Sequence, residues 1–241
     1  QGIAEFLPIS SSSHLIVASD YLELEKSLTI DVSLHIGSFI AVIVYFYKDI
    51  ISFYKDKILF FKIIISSIPV MLVGVILLET NFIEKIRNVE TIAWTTLIFG
   101  ILLFVSDKFK IEKTIEKNFS FKSAIFIGSL QILALIPGVS RSGIAITAAR
   151  FLGFERVESA KISFLISIPI LGAISIFGLN NIIFSETQNF AKLNFFAIIS
   201  AFFFSFITIK YFLKYLNKFS LNIFVYYRVL LGIILLALAY L

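Results

Sequence analysis

The sequence predicts an all-α protein that crosses a membrane several times, and three observations carry that prediction. The 241 residues are 59% hydrophobic and only 15% charged, where soluble domains carry about a quarter charged residues. Their mean hydropathy is +0.96. Apolar stretches approaching the length of a bilayer crossing recur along the whole chain, separated by short polar connectors. The expected architecture is one integral membrane domain of about six transmembrane helices plus two re-entrant helix-loop-helix segments, arranged as an inverted repeat.

Composition removes several classes of function. Cysteine is absent, so disulfides and thiolate metal sites are excluded. The formal charge of +5 is no nucleic-acid signature, because the basic residues lie in short loops between apolar runs, where they mark the cytoplasmic side. The single methionine is Met71 and the chain opens on Gln1 inside a motif, so a segment upstream of Gln1 is expected.

In chain order, the opening polar knot Gln1–His14 is followed by a polar connector, Asp20 to Asp31. Apolar spans are expected at about Val32–Phe53, Ile63–Leu78 (with Pro69 inside) and Thr91–Val105, the last with Trp94 as an interfacial anchor. Lys55, Lys57 and Lys62 fall in the first basic loop, and Lys108, Lys110, Lys113, Lys117 and Lys122 in the second. A second knot, Pro137 to Gly143, lies between apolar Ala124–Ile136 and Ile144–Leu152. Both pieces are shorter than the roughly 20 residues of a crossing, which favours a segment that enters and returns on one side. Three more spans are expected at about Ile162–Leu179, Phe195–Tyr211 and Ile223–Leu241, joined by a nearly uncharged loop at Asn180–Asn194 and a basic one at Lys210–Lys218.

The three lysine-rich loops belong to the cytoplasm by the positive-inside rule, and Asp20–Asp31, Glu79–Glu90 and Asn180–Asn194 to the other side. The first knot then dips in from outside and the second from inside, each followed by three spans. That divides the chain into repeats 1–120 and 121–241, an arrangement that places a site near the bilayer midplane. Gln1 and Gln131, each followed by a proline (Pro8, Pro137) and then serines, are the sequence echo of the repeat.

The two knots hold the residues able to do chemistry. A charge at mid-membrane costs about 2.5–3.5 kcal/mol on insertion scales, so Glu5 and Arg141 need a partner or a wet cavity. A purely structural ion pair between the halves would satisfy that need. Their neighbours favour a functional site: Ser140 and Ser142 flank Arg141, and Pro137-Gly138 breaks the helix just before it, freeing backbone N–H groups. A serine-and-arginine loop opening a helix is a receptor for phosphate. Ser10, Ser11, Ser12 and Ser13 could be ordinary helix-packing hydroxyls, but His14 follows at once and shares a helical face with Ser10. His14 is a candidate base, acid or nucleophile. Gln1 and Glu5, four apart, could together hold a divalent cation. His35 reads as structural, and Thr147 as helix packing at least as readily as a phosphate contact.

At these residues the chain resembles the bacterial undecaprenyl-diphosphate phosphatase (bacitracin-resistance) family. The family's (E/Q)xxxE motif, running into a proline, serines and a histidine, reads here Gln1-x-x-x-Glu5, Pro8, Ser10-Ser11, His14; its PGxSRSxxT motif reads Pro137-Gly138-Val139-Ser140-Arg141-Ser142. The family threonine that closes the second motif falls on Ala145. The resemblance covers essentially the whole chain, including Tyr227-Arg228. It implies hydrolysis of undecaprenyl diphosphate to the lipid monophosphate and inorganic phosphate, at the outer face of the bacterial cytoplasmic membrane, recycling the carrier for cell-wall synthesis. In that reading Glu5, Ser11, His14 and Arg141 do the chemistry, Ser10, Ser140, Arg141 and Ser142 bind the diphosphate, and Glu5 with Gln1 holds a cation, Mg²⁺ or Ca²⁺. The expected partners are a polyprenyl diphosphate lipid and the membrane, with no nucleic acid; assembly into a homo-oligomer is left open. A lipid transporter that carries the same headgroup without cleaving it is the competing reading, because inverted repeats with broken helices also build transporters.

Overall fold

In a computed structural model that describes residues 1–11, 13–16, 27–53, 56–80, 85–109, 112–183 and 188–240, the regular structure is helical apart from one isolated β-bridge between Lys113 and Phe154. The helices are α1 (Leu28–Tyr45), α2 (Tyr47–Ser52), α3 (Lys57–Glu79), α4 (Val89–Asp107), α5 (Ile115–Asn118), α6 (Phe121–Gln131), α7 (Arg141–Phe151), α8 (Arg156–Ile183), α9 (Gln188–Leu216) and α10 (Asn222–Tyr240), with a 3₁₀ turn at Ile132–Leu135 after α6. Six of these, α1, α3, α4, α8, α9 and α10, are long and apolar enough to cross a membrane. The chain is a multi-pass membrane protein.

Several helices start where a short polar side chain takes up a free N–H of the first turn. Ser27 accepts from Ile30 N, Asp56 from Leu59 N at 3.0 Å, Asn88 from Thr91 N at 2.8 Å and Ser120 from Ser123 N at 3.1 Å. Boundaries depart from the sequence expectation where polar residues are helical. The first span breaks at Phe46 instead of running to Phe53. Lys57 and Lys62 belong to α3, and Lys210 and Lys214 to α9, so the basic loop expected at Lys210–Lys218 shrinks to the turn between Leu216 and Asn222. The loop expected at Asn180–Asn194 is mostly helix too, with α8 running to Ile183 and α9 starting at Gln188. Lysine stems lie along apolar surface while their ammonium ends reach water, so a charge does not end a helix at the membrane edge. Most of the Asp20–Asp31 connector, Lys55, Lys110 and Ser12 lie outside the described residues.

Helix α1 packs against α8 and α9, α4 against α10, and α3 against α6 and α8. The core contains Val42, Phe46, Ile63, Leu103, Phe164, Phe212 and Val225 from these helices, and also Phe6 from the opening knot. Phe6 is fully buried, edge-on to Phe164 with ring centroids 5.3 Å apart. Around the second knot, α6 and α7 are 11 residues each, about half a bilayer core at 1.5 Å rise per residue. The chain enters and leaves this segment at one place: Lys113 N donates to Gly153 O at 2.9 Å, and Glu155 N to Lys113 O at 3.0 Å. Outward, Phe177, Ile176, Leu238 and Phe196 belong to a broad exposed apolar surface, the face a lipid-embedded bundle presents.

Candidate active site between the two broken segments

Residues 2–9 form successive turns instead of a helix, and their backbone is held from elsewhere. Ser142 Oγ donates to Leu7 O at 2.7 Å, joining the knots directly. Arg228, on α10, joins them again: its guanidinium is fully buried and donates to Pro8 O at 3.3 Å, Val139 O at 3.1 Å, Gly138 O at 2.9 Å and Thr96 O at 3.2 Å. The broken backbone at Pro137–Ser140 leaves carbonyls without helical partners, and Arg228 supplies the donors. Two glycines make room. A Cβ on Gly143 would lie 2.9 Å from Arg228 Nη1, and one on Gly138, whose φ is +93°, would lie 1.9 Å from Thr95 Oγ1.

The two charges singled out in the sequence meet. Arg141 Nη2 lies 3.0 Å from Glu5 Oε1, with the side chains 14% and 7% exposed. Ser11 donates to the other oxygen, Oε2, at 2.7 Å. Arg141 Nη1 is buried with no hydrogen-bond partner, an unsatisfied donor of a kind native structures reserve for a ligand or water. Ser140 Oγ accepts from Gly143 N at 3.1 Å, and lies 3.2 Å from Ser142 Oγ. Ser10 Oγ is contacted by Ser13 Oγ at 2.9 Å.

A cavity of about 240 Å³ opens beside this pair. Gln1, Glu5, Ser10, Ser11, Ser140 and Arg141 line it, as do Asp31, His35 and Arg87. Part of the wall is apolar: Val70 of α3 and Ile170, Leu171 and Ile174 of α8. Ile174, at 37% exposure, is the most accessible of these apolar wall residues.

The structure also places the remaining residues that the sequence singled out. His14 does not line the cavity. Its Nδ1 is 2.7 Å from Ser10 O and its Nε2 is 2.5 Å from Tyr227 Oη; a carbonyl only accepts, so in the neutral ring Nδ1 carries the proton and Nε2 accepts from tyrosine. Ser142, almost fully buried, holds the knots together from behind the cavity wall. Thr147 turns onto Gly143 O at 2.8 Å, as a packing hydroxyl does. Ala145 is fully buried in an apolar cluster with Val70 and Ile166. His35 faces the site, contrary to its structural reading: its Nδ1 receives the Gln1 amide at 3.0 Å. Its place one helical turn from Asp31, near the start of an otherwise apolar span, was the signal for it. Arg228 was legible as a lone charge within an apolar run.

The donor set was compared with the cation expected at Gln1 and Glu5. Among the described residues no three His, Asp or Glu side chains converge as a metal cage. One carboxylate and one amide fit an ion whose remaining ligands come from substrate phosphates, the usual situation for Mg²⁺.

A multi-pass helical membrane protein whose two broken segments close an Arg–Glu–Ser chamber with a partly apolar wall has the chemistry of a site for a phosphorylated lipid. The chain belongs to the bacitracin resistance protein BacA family, whose model matches residues 1–234. It is 48% identical over 245 residues to a curated protein of Pelagibacter ubique named undecaprenyl-diphosphatase, covering 100% of this chain and 94% of the relative. Proteins of the same name in Saccharophagus degradans and Jannaschia sp. are 40% and 37% identical, each covering 100% of this chain and 95% of the relative.

Proposed function

We propose that this protein is an undecaprenyl-diphosphate phosphatase: it hydrolyses the lipid diphosphate to undecaprenyl phosphate and inorganic phosphate, recycling the carrier for peptidoglycan synthesis and giving resistance to bacitracin. The observation that carries the reading is the Glu5–Arg141–Ser11 constellation lining a chamber with an apolar wall at Val70, Ile170 and Ile174. A long prenyl chain lies along Ile170 and Ile174, and its headgroup enters the polar end.

Phosphoryl transfer asks mostly for positioning and charge stabilisation. Arg141, through its unpartnered Nη1, and Ser140 and Ser10 receive the terminal phosphate, and Arg141 offsets the charge that gathers on its oxygens as it transfers. Ser11 already donates its proton to Glu5 Oε2. In attack by Ser11 Oγ on the terminal phosphorus that proton passes to Glu5, the new O–P bond forms, the bridging P–O bond breaks, and the lipid monophosphate leaves. Water then attacks the phosphorus, the Ser11 O–P bond breaks, one water proton returns to the serine, and Glu5 gives the proton it took to the departing inorganic phosphate. In direct attack by water, Glu5 takes the water's proton instead. His14 steadies the first knot through Ser10 O and Tyr227 in either course. A divalent cation held by Glu5 and Gln1 would supply further charge neutralisation on the diphosphate.

The reading includes two inverted repeats, 1–120 and 121–241. The succession of a broken segment and three long helices, twice, supports them, as does the shared entry and exit of the second segment at Lys113 and Gly153. It also includes the bacterial cytoplasmic membrane, with the chamber opening outward; the lysine pattern of the loops supports that orientation.

The test is phosphate release from a C55 prenyl diphosphate by the detergent-purified protein, with Arg141→Ala alongside and with EDTA as a further condition. Release by the parent that collapses in the variant supports the reading, and loss on chelation restored by Mg²⁺ supports the cation. A folded protein that binds the lipid and leaves the diphosphate intact is a carrier instead.

A further inference from the structure

The chamber presents a second guanidinium that the chemistry above does not use. Arg87 lines it together with Arg141. It lies just before α4, whose start is fixed by Asn88 capping Thr91 N at 2.8 Å, so its backbone is anchored while its side chain is exposed. Among the described residues it makes no ion pair. It is also a cation in the Glu79–Glu90 connector, on the side of the membrane that the lysine pattern leaves poor in positive charge.

Charge and depth show what it is for. Without Arg87 the formally charged lining groups are Glu5, Asp31 and Arg141, one negative charge in excess, which is a hostile chamber for a polyanionic headgroup. Arg141 commits one guanidinium nitrogen to Glu5 and has one left over, enough for one phosphate. Depth runs from Glu5 and Arg141, 7% and 14% exposed, out to exposed Arg87. A lipid diphosphate entering tail-last places its terminal phosphate at the deep end and its lipid-bearing phosphate at the mouth.

We propose that Arg87 is a specificity-determining residue that binds the lipid-bearing phosphate, the one that departs as the leaving group, while Arg141 holds the phosphate that is transferred. This rests on the phosphatase reading. Arg87 then selects a diphosphate over a single phosphate, holds the charge that appears on the leaving group, and keeps contact with the monophosphate product.

Product inhibition separates the two subsites. In the full-length protein, Arg87→Ala weakens inhibition by a prenyl monophosphate by about tenfold, the size of one charge-assisted contact, and leaves inhibition by inorganic phosphate unchanged; Arg87→Lys recovers part of the loss. A variant inhibited by both products as the parent is, or weakened equally toward both, overturns the assignment. If the parent releases no phosphate from prenyl diphosphate, the phosphatase reading fails and this one falls with it. Normal turnover in the parent with no selective change in the variant sinks this inference alone.

Discussion

Ser10 and Ser140 share a backbone conformation rare outside glycine. Their φ angles are +65° and +72°, and they are the two non-glycine residues with positive φ among the described residues. Each stands nine residues after a glutamine, Gln1 or Gln131, and each turns its hydroxyl onto an N–H three residues on, Ser13 N at 3.4 Å or Gly143 N at 3.1 Å. A non-glycine residue held there costs on the order of 1–3 kcal/mol. The two halves therefore place the same strained turn on either side of one chamber.

That turn separates backbone strain from capping. Ser140→Gly relieves the strain and loses the cap, whereas Ser140→Ala keeps the strain and loses the cap at about 1 kcal/mol. Thermal unfolding in detergent should give the alanine variant the lower midpoint of the two. Equal midpoints would mean that the turn is not strained.

Arg228 has the largest structural consequence. Arg228→Met leaves the carbonyls of Gly138 and Val139 buried without their side-chain donor, at about 1–3 kcal/mol for each unsatisfied group. The expected outcome is a protein that inserts but runs as aggregate on size exclusion after extraction. Arg228→Lys, with one compact donor group in place of the fork, should be intermediate.

Glu5 and Arg141 should behave as one unit. Arg141→Ala is expected to lower turnover by about two to three orders of magnitude, as loss of a charge-stabilising donor does. Adding Glu5→Gln to it should cost far less than the product of the two single effects. Full multiplicativity in phosphate release would show that the pair does not act together.

His14 acts through its partners, so its loss should resemble a loss of theirs. Tyr227→Phe is expected to slow turnover less than tenfold, the scale of one neutral hydrogen bond. The same change in a His14→Ala background should have almost no further effect. An additive effect of both substitutions on turnover would place His14 in direct contact with substrate.

The spans and the meeting of the two knots were legible in the sequence because each rests on a strong physical preference: apolar runs bury in lipid, and isolated charges there find each other. Glu5 and Arg141 followed from that rule, and so did a serine beside them. The span limits did not, because Lys57 and Lys214 remain helical past the apolar boundary. His14 was legible through its company, Ser10 and Ser11, but its partner Tyr227, 213 residues away, was not. His35 and Arg87 reach the chamber from elements with no motif of their own, and only the packing of α1 and the start of α4 around the knots reveals them. Arg228 obeyed the rule that found Glu5, but its partners are carbonyls, which leave no mark in a sequence.

The position of Arg228 on the last of the six spans also sets an order of manufacture. Both knots and five spans are synthesised before Arg228, the last of the side chains that tie the knots together, exists. Until α10 enters the bilayer, the carbonyls at Gly138 and Val139 lack the guanidinium that donates to them. A chain halted before α10 therefore has both knots without the Arg228 fork that bridges Pro8 to Gly138 and Val139. The last tie between the knots forms only once Arg228 has emerged.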